Sequence, residues 1–283
     1  MSVRVLTDSA AALPDGLIAE WRVGVVPLAL SIAGTPYTDG DITDDEVLAR
    51  LSEGVTTSAP SPGAFVTAID RALAVLQTDG AVVITVASSV SATHDSARLG
   101  ARTYGERVRV VDSMGASGSQ ALVVLAAARC AAKNGSLEEV AGVAETVAQQ
   151  VRLIGTLPSL DRLATGGRVP VIAARAGDFF GVQPLFEMRA ARIGPLRPAF
   201  SREAAMNRMV RNWRASRVEG KVAEVVALHA SAQQDAEQLL ALVRQETDPA
   251  LALVSRFGAV MMAQTGPGVL GLAWRWRDPR DRY

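Results

Sequence analysis

Two clusters of small hydroxyl side chains hold the residues best suited to chemistry. The first, Thr56-Thr57-Ser58-Ala59-Pro60-Ser61-Pro62, precedes an amphipathic segment in which Phe65, Ile69, Leu73 and Leu76 recur at helical spacing. Ser61 suits the cap of that helix and Pro62 its first turn, where a missing amide proton needs no partner. Thr57 and Ser58 lie just upstream, so their hydroxyls and the free backbone donors of the turn can converge on an oxygen anion. Taken alone, the stretch reads equally as a well-capped loop. The second cluster, Ser88-Ser89-Val90-Ser91-Ala92-Thr93, follows the β-branched run 81–87 and opens another helical pattern. A strand-to-helix crossing at the carboxyl edge of a parallel sheet is where α/β proteins hold ligands, and two such clusters point to one site.

Other chemistry is poorly supplied. The chain has one cysteine, Cys130 in an alanine-rich helical stretch, so neither an internal disulfide nor a cysteine–histidine zinc cluster can form, and no cofactor or metal is expected. A serine-dependent α/β hydrolase acting on a small lipid ester is the competing reading. Neither serine cluster has the Gly-x-Ser-x-Gly context, and His94 and His229 alone are available as a base. Lys plus Arg and Asp plus Glu both number 29, which gives no global attraction to nucleic acid. At 49% hydrophobic and 20% charged residues, the 283-residue chain can build a sizeable core. The start of the chain is too polar for a signal peptide, and the apolar run 121–132, interrupted by Arg129, is too short for a bilayer; a cytoplasmic protein is expected.

The elements that position these clusters follow from periodicity. Strands are expected at 3–6, 23–30, 81–87 and 108–111, each leading into a polar loop or helix, with helices at 116–133 and 137–151. Repeated strand, loop and helix argue a parallel sheet. After Arg152 the pattern changes. A strand at 153–156 and a brief helix around Leu160 and Leu163 are expected, then strands at 179–186 and 193–200 and a helix from Ser201. A strand at 222–228 and a helix at 232–246 precede three apolar segments, 250–254, 259–263 and 269–276, read as strands. The expected fold is α/β with two domains, a parallel α/β domain over 1–152 and an α+β domain with a mixed sheet over 153–283, holding a ligand between them. On the helix after Ser201, Arg208, Arg211, Arg214 and Arg217 form a stripe that reads as a solvated face or a docking surface.

An ordered set of short motifs then resembles the DegV family, bacterial proteins that bind a fatty acid. It comprises Thr7-Asp8-Ser9, Val26-Pro27-Leu28, Thr57-Ser58-Ala59-Pro60-Ser61-Pro62-Gly63, Ser88-Ser89-Val90-Ser91-Ala92-Thr93, Val111-Asp112-Ser113, Gly166-Gly167-Arg168 and Thr265-Gly266-Pro267-Gly268. The resemblance implies a carrier that encloses one long-chain fatty acid and presents its carboxylate to a separate fatty-acid kinase for acyl-phosphate formation. It implies no catalysis of its own. It places Thr57 and the Ser88–Ser89 pair at the carboxylate, with Ser58, Gln264 and Thr265 as further ligand-binding residues and Arg168 as a partner or phosphate contact. The partners it implies are the fatty acid and the kinase protein, with transient membrane contact and no nucleic acid. The chain departs from the family pattern at Ala59, where Gln is usual, and at Gln264, where His is usual. An amide cannot become cationic, so a step that needs imidazole there is not expected.

Overall fold

Alternation at the start of the chain becomes a strand with one face in the core. In β1 (Ser2–Asp8), Val3 and Val5 are buried beside half-buried Ser2 and Arg4, and from Leu6 onward both faces are covered. A computed structural model describes residues 2–159, 162, 166, 167, 182–281 and 283. A short 3-10 turn at Ser9–Ala11 and α1 (Asp15–Trp21) follow β1.

The single strand expected over 23–30 is two strands in two sheets. Pro27 has no amide proton to give a ladder, and the chain leaves the first sheet there. β2 (Gly24–Val26) pairs in parallel with β1. β3 (Ala29–Ile32) instead forms an antiparallel sheet with β4 (Thr35–Thr38) and, beyond α2 (Asp44–Ala49), with β5 (Val55–Ser58). The first hydroxyl cluster, expected to be irregular, therefore begins as a strand. Val55, Thr56 and Thr57 are β-branched and suit a pleated edge, with Thr57 opposite Leu30 and Ser58 opposite Ala29.

α3 (Pro62–Leu73) starts as expected, with the Ser61 hydroxyl accepting from the Ala64 amide at 3.2 Å. β6 (Thr78–Thr85), α4 (Thr93–Ala101) and β7 (Val108–Asp112) complete a parallel sheet in the order β2-β1-β6-β7. Its winding changes direction between β1 and β6, so the carboxyl ends of these two strands border a natural crevice. On one face Phe65, Ile69 and Ala97 pack against Leu6, Ala81 and Val83.

α5 (Gly118–Ala132) and α6 (Leu137–Ala148) cover the other face. α5 lacks a polar side because it is covered all round: every residue from Gly118 to Ala128 is buried. Gly118 has no room for a side chain, since a Cβ would lie 3.0 Å from Val226 and 3.1 Å from Ala273.

Val226 and Ala273 belong to the second sheet. It begins at β8 (Arg152–Thr156) and continues with β9 (Gln183–Arg189), β10 (Arg192–Ala199), α7 (Arg202–Ala215), β11 (Val222–His229), α8 (Gln233–Arg244) and β12 (Leu251–Arg256). The last elements are α9 (Ala259–Thr265) and β13 (Leu270–Arg277). The order is β10-β9-β8-β13-β11-β12, antiparallel except for the β11–β12 pair, which gives the mixed sheet expected of this half. The segment 259–263 is helical rather than extended. Its mixture of Ala, Val and Met carries no period-2 signal, and Gly258 and Gly266 bound it at the two ends. The expected helix at Leu160 and Leu163 and the segment 179–181 lie outside the described residues.

α7 and α8 cover the outer face, where Trp213 stacks on Trp276 with ring centroids 5.4 Å apart. The arginine stripe on α7 is partly engaged within the chain: Arg208 donates to the carbonyls of Arg197 and Pro198, and Arg214 pairs with Glu246. The mixed sheet also buries charge. The Glu224 carboxylate on β11 meets Arg275 Nε at 2.6 Å, Arg129 of α5 at 2.6 Å and Arg277 Nε at 3.3 Å. Burial pushes the Glu224 carboxyl up, but Arg275 and Arg129 outweigh it and hold its pKa below the usual carboxylate value. Among the described residues no helix is long and apolar enough to cross a membrane.

Candidate functional site

The carboxyl ends of β1 and β6 are stitched together by one carboxylate. Asp8, fully buried, accepts from the Ala10 amide at 3.0 Å and from the Val86 amide at 2.7 Å. Burial raises its pKa to about 6, against the pull of the Val86, Gln120 and Ala10 donors. Nearby, Thr7 donates to the Ile84 carbonyl at 2.8 Å and accepts from Gln120 of α5 at 3.0 Å. This network fixes Ala10 and Val86, and both line an apolar cavity of about 130 Å³.

The opposite wall comes from α9. Val260, Met261, Gln264 and Thr265 all face the cavity, the spacing of one side of a helix. The start of α9 is held by Asp39, whose carboxylate accepts from the Val260 amide at 3.4 Å. Burial raises the Asp39 pKa, while hydrogen bonds from Ser9, Val260 and Ala259 oppose the rise. β8, β9 and β10 contribute Leu153, Phe186, Met188 and Ile193, and Leu28 and Phe257 close the lining. Gly155 makes room for the Phe186 ring, because a Cβ there would lie 2.7 Å from its Cζ.

The structure brings four of the expected residues together. Thr57, Ser58, Gln264 and Thr265 all border the cavity, and the Gln264 side-chain amide donates to the Thr57 hydroxyl. The Thr265 hydroxyl donates to the Met261 carbonyl at 2.8 Å, an i−4 bond within α9. Thr57, Gln264 and Thr265 also border an open cleft of about 870 Å³, so they stand where the apolar interior meets a wider, open space. Arg162, which sequence reasoning missed, lines that cleft; its side chain packs beside Gly266, where a Cβ would lie 3.4 Å from Cδ.

Ser88 and Ser89 sit apart from these four. Both are exposed and neither lines the cavity; the Ser88 amide donates to Asp112 at 3.1 Å, which straps this loop to β7. The same loop sends Val90 and Ser91 into the lining instead. Arg168 lies outside the described residues.

Ser117 was also missed, for want of any local signal. It precedes α5 with φ 51° and ψ −127°, a conformation that non-glycine residues adopt only when the surroundings impose it. Its amide donates to the Ala10 carbonyl at 2.9 Å, and its side chain lines the cavity at 1% exposure.

Chemically, the cavity offers neutral donors and apolar surface. No Lys, Arg, His, Asp or Glu lines it among the described residues. His94 bonds Thr85 at 3.0 Å, and His229 is buried with its pKa lowered by burial, with Arg256 adding to the effect. Neither histidine faces a cavity serine, so nothing in the geometry favours the hydrolase reading.

Comparison with known proteins gives the same architecture. The model of a family of uncharacterised proteins, the DegV family, matches residues 2–276. The chain belongs to the DegV family. A DegV domain-containing protein of Streptomyces coelicolor is 32% identical over 275 residues, 95% of this chain and 97% of that one. A solved DegV family protein of Thermus thermophilus, described by its fatty-acid binding, superposes with a TM-score of 0.90 at 28% identity, covering 98% of this chain and all (100%) of that one. A DegV lipid-binding protein of Thermotoga maritima shares the fold, with a TM-score of 0.87 at 24% identity over 98% of this chain and 99% of its own. The α/β arrangement described above, with its parallel and mixed sheets, is therefore the DegV fold.

Proposed function

We propose that this protein binds one long-chain fatty acid, with the carboxylate at Thr57, Ser58, Gln264 and Thr265 and the acyl chain entering the apolar cavity, which widens to admit it. One observation carries the reading: the Gln264–Thr57 pair stands at the junction of an open cleft and an apolar interior lined, among the described residues, by no charged side chain. Ser88 and Ser89, on the loop that brings Val90 and Ser91 to the cavity, serve as outer donors. Hydroxyl and amide donors orient a carboxylate at roughly 1.5–3 kcal/mol each. The tail supplies the strength, about 12 kcal/mol gross for ~15 methylenes at ~0.8 each, offset by lost translational and internal freedom. The Thermus relative, described as a fatty-acid binder, supports the same reading.

The protein acts in the cytoplasm as a carrier, without chemistry of its own, and hands the carboxylate to a separate fatty-acid kinase for acyl-phosphate formation. Residues 1–152 and 153–283 act as two domains that close on the ligand. Mass spectrometry of the denatured, purified protein tests the binding step: about one acyl lipid per chain is expected, and its absence together with no uptake of added fatty acid overturns the reading. Incubation with a fatty-acid kinase and ATP tests the hand-over. Acyl phosphate is expected when both proteins are present, and equal yield from the kinase alone removes the presenting role.

A further inference from the structure

Most polar side chains bordering the cavity are already engaged or face solvent. Gln264 is bonded to Thr57, Thr265 to the Met261 carbonyl and Ser91 to the Thr93 hydroxyl, while Ser58 is exposed. Ser117 is the exception. Its hydroxyl is buried at 1% exposure and has no hydrogen-bond partner among the described residues. Ala10, Val86, Ala116 and Leu153 line the same cavity, and none of them carries a side-chain polar atom. The backbone holds this side chain in place, since the residue keeps a left-handed φ of 51° while its amide is tied to Ala10.

A buried hydroxyl without a partner loses its water without replacement, which folded proteins avoid unless something else completes the bond. A carboxylate is a poor match: at this depth one hydroxyl would face a full charge with no other donor from the surrounding apolar side chains. A neutral group that both donates and accepts matches the serine hydroxyl directly. From these facts, and resting on the fatty-acid reading above, we infer that Ser117 recognises a hydroxyl carried on the acyl chain, so that the cavity prefers a monohydroxy fatty acid to the unsubstituted acid. The head group is then held at Thr57 and Gln264, and Ser117 reads the position of the second oxygen along the tail.

The test is calorimetric titration of the delipidated full-length protein with octadecanoate and with derivatives bearing one hydroxyl moved stepwise along the chain. The same series is run on Ser117→Ala. Ser117→Gly serves as a second variant, since glycine accepts the left-handed backbone without strain. One derivative is expected to bind wild type about tenfold tighter than octadecanoate, the equivalent of one hydrogen bond. Both variants should lose that preference, read within each protein as the ratio of its affinities for the hydroxy acid and for octadecanoate. A penalty for every hydroxyl position, equal in wild type and variants, overturns the inference and leaves the fatty-acid reading intact. A preference that survives both variants also overturns it, because another group then reads the hydroxyl. Failure of every acid, octadecanoate included, to bind wild type removes the fatty-acid reading and this inference together.

Discussion

The parallel sheet and the mixed sheet each bury one carboxylate on an inner strand, and each answers it differently. Asp8, at the end of β1, meets backbone amides and the Gln120 side chain, and its pKa is pushed up to about 6 by burial. Glu224, on β11, meets three guanidinium groups and keeps its pKa below the usual value despite burial. Neutral donors hold the shape of a carboxylate without fully stabilising its charge; cations stabilise the charge at the cost of burying more of it. The cavity follows the Asp8 pattern, since it offers hydroxyls and an amide and no cation among the described lining residues. On the proposed reading, a ligand carboxylate there would be oriented by donors while its tail supplied the affinity.

The strongest way to break the comparison is Glu224→Gln. It leaves three arginines beside a neutral amide in the core, and an unpaired buried charge costs about 3–5 kcal/mol. Denaturant unfolding should show a fall of that size with an unchanged slope. A loss below about 1 kcal/mol would mean that the arginines find water and the mixed sheet does not depend on its carboxylate.

Asp8 gives the next largest effect, and in a definite direction. Its folded pKa of about 6 exceeds the ordinary carboxyl value of 3.8, so the folded state keeps a proton that the unfolded chain has released. The stability this contributes is complete below pH 3.8 and is lost as pH rises to about 6. The shift corresponds to about 3 kcal/mol. Asp8→Asn cannot titrate, so the stability difference between wild type and variant should change by that amount across the window and stay level above it. A constant difference from acid to neutral pH would show that folding leaves the Asp8 pKa unshifted, and a change of opposite sign would show it held down as in Glu224.

At the cavity, Thr57→Val removes the hydroxyl that accepts from Gln264. Fatty-acid affinity should fall by about 1–3 kcal/mol, roughly five- to 150-fold, with thermal stability nearly unchanged. Unaltered affinity would place the carboxylate elsewhere. Gln264→His converts the neutral-donor pattern towards the cationic one. Wild-type affinity should vary little with pH while the ligand stays ionised, and the variant should bind more tightly below the imidazole pKa of ~6.5. Identical pH profiles would mean that position 264 does not sense the head group. Ser89→Ala should have the smallest effect, under about threefold, because water can replace an exposed donor.

Period and capping made much of the fold legible. The buried run of β6 and the Ser61 cap with Pro62 stand where local physics puts them. Errors arose where tertiary pairing overrides local pattern. Nothing in Val26-Pro27-Leu28 says that the flanking strands join different sheets, and a seven-residue helix such as α9 is too short to show its period. At the site, Thr57 and Gln264 were legible through the family resemblance, yet their hydrogen bond spans 207 positions of sequence. Ser117 left no trace, because its burial comes from strands far along the chain.

α5 has a consequence for how the molecule can be taken apart. One side lies on the parallel sheet and the other on Val226 and Ala273 of the mixed sheet, with Arg129 reaching Glu224. A fragment ending at residue 152 would carry this helix with an apolar stripe and an arginine stripped of their cover. Such a fragment should aggregate when expressed alone, and the intact chain should melt in a single calorimetric transition.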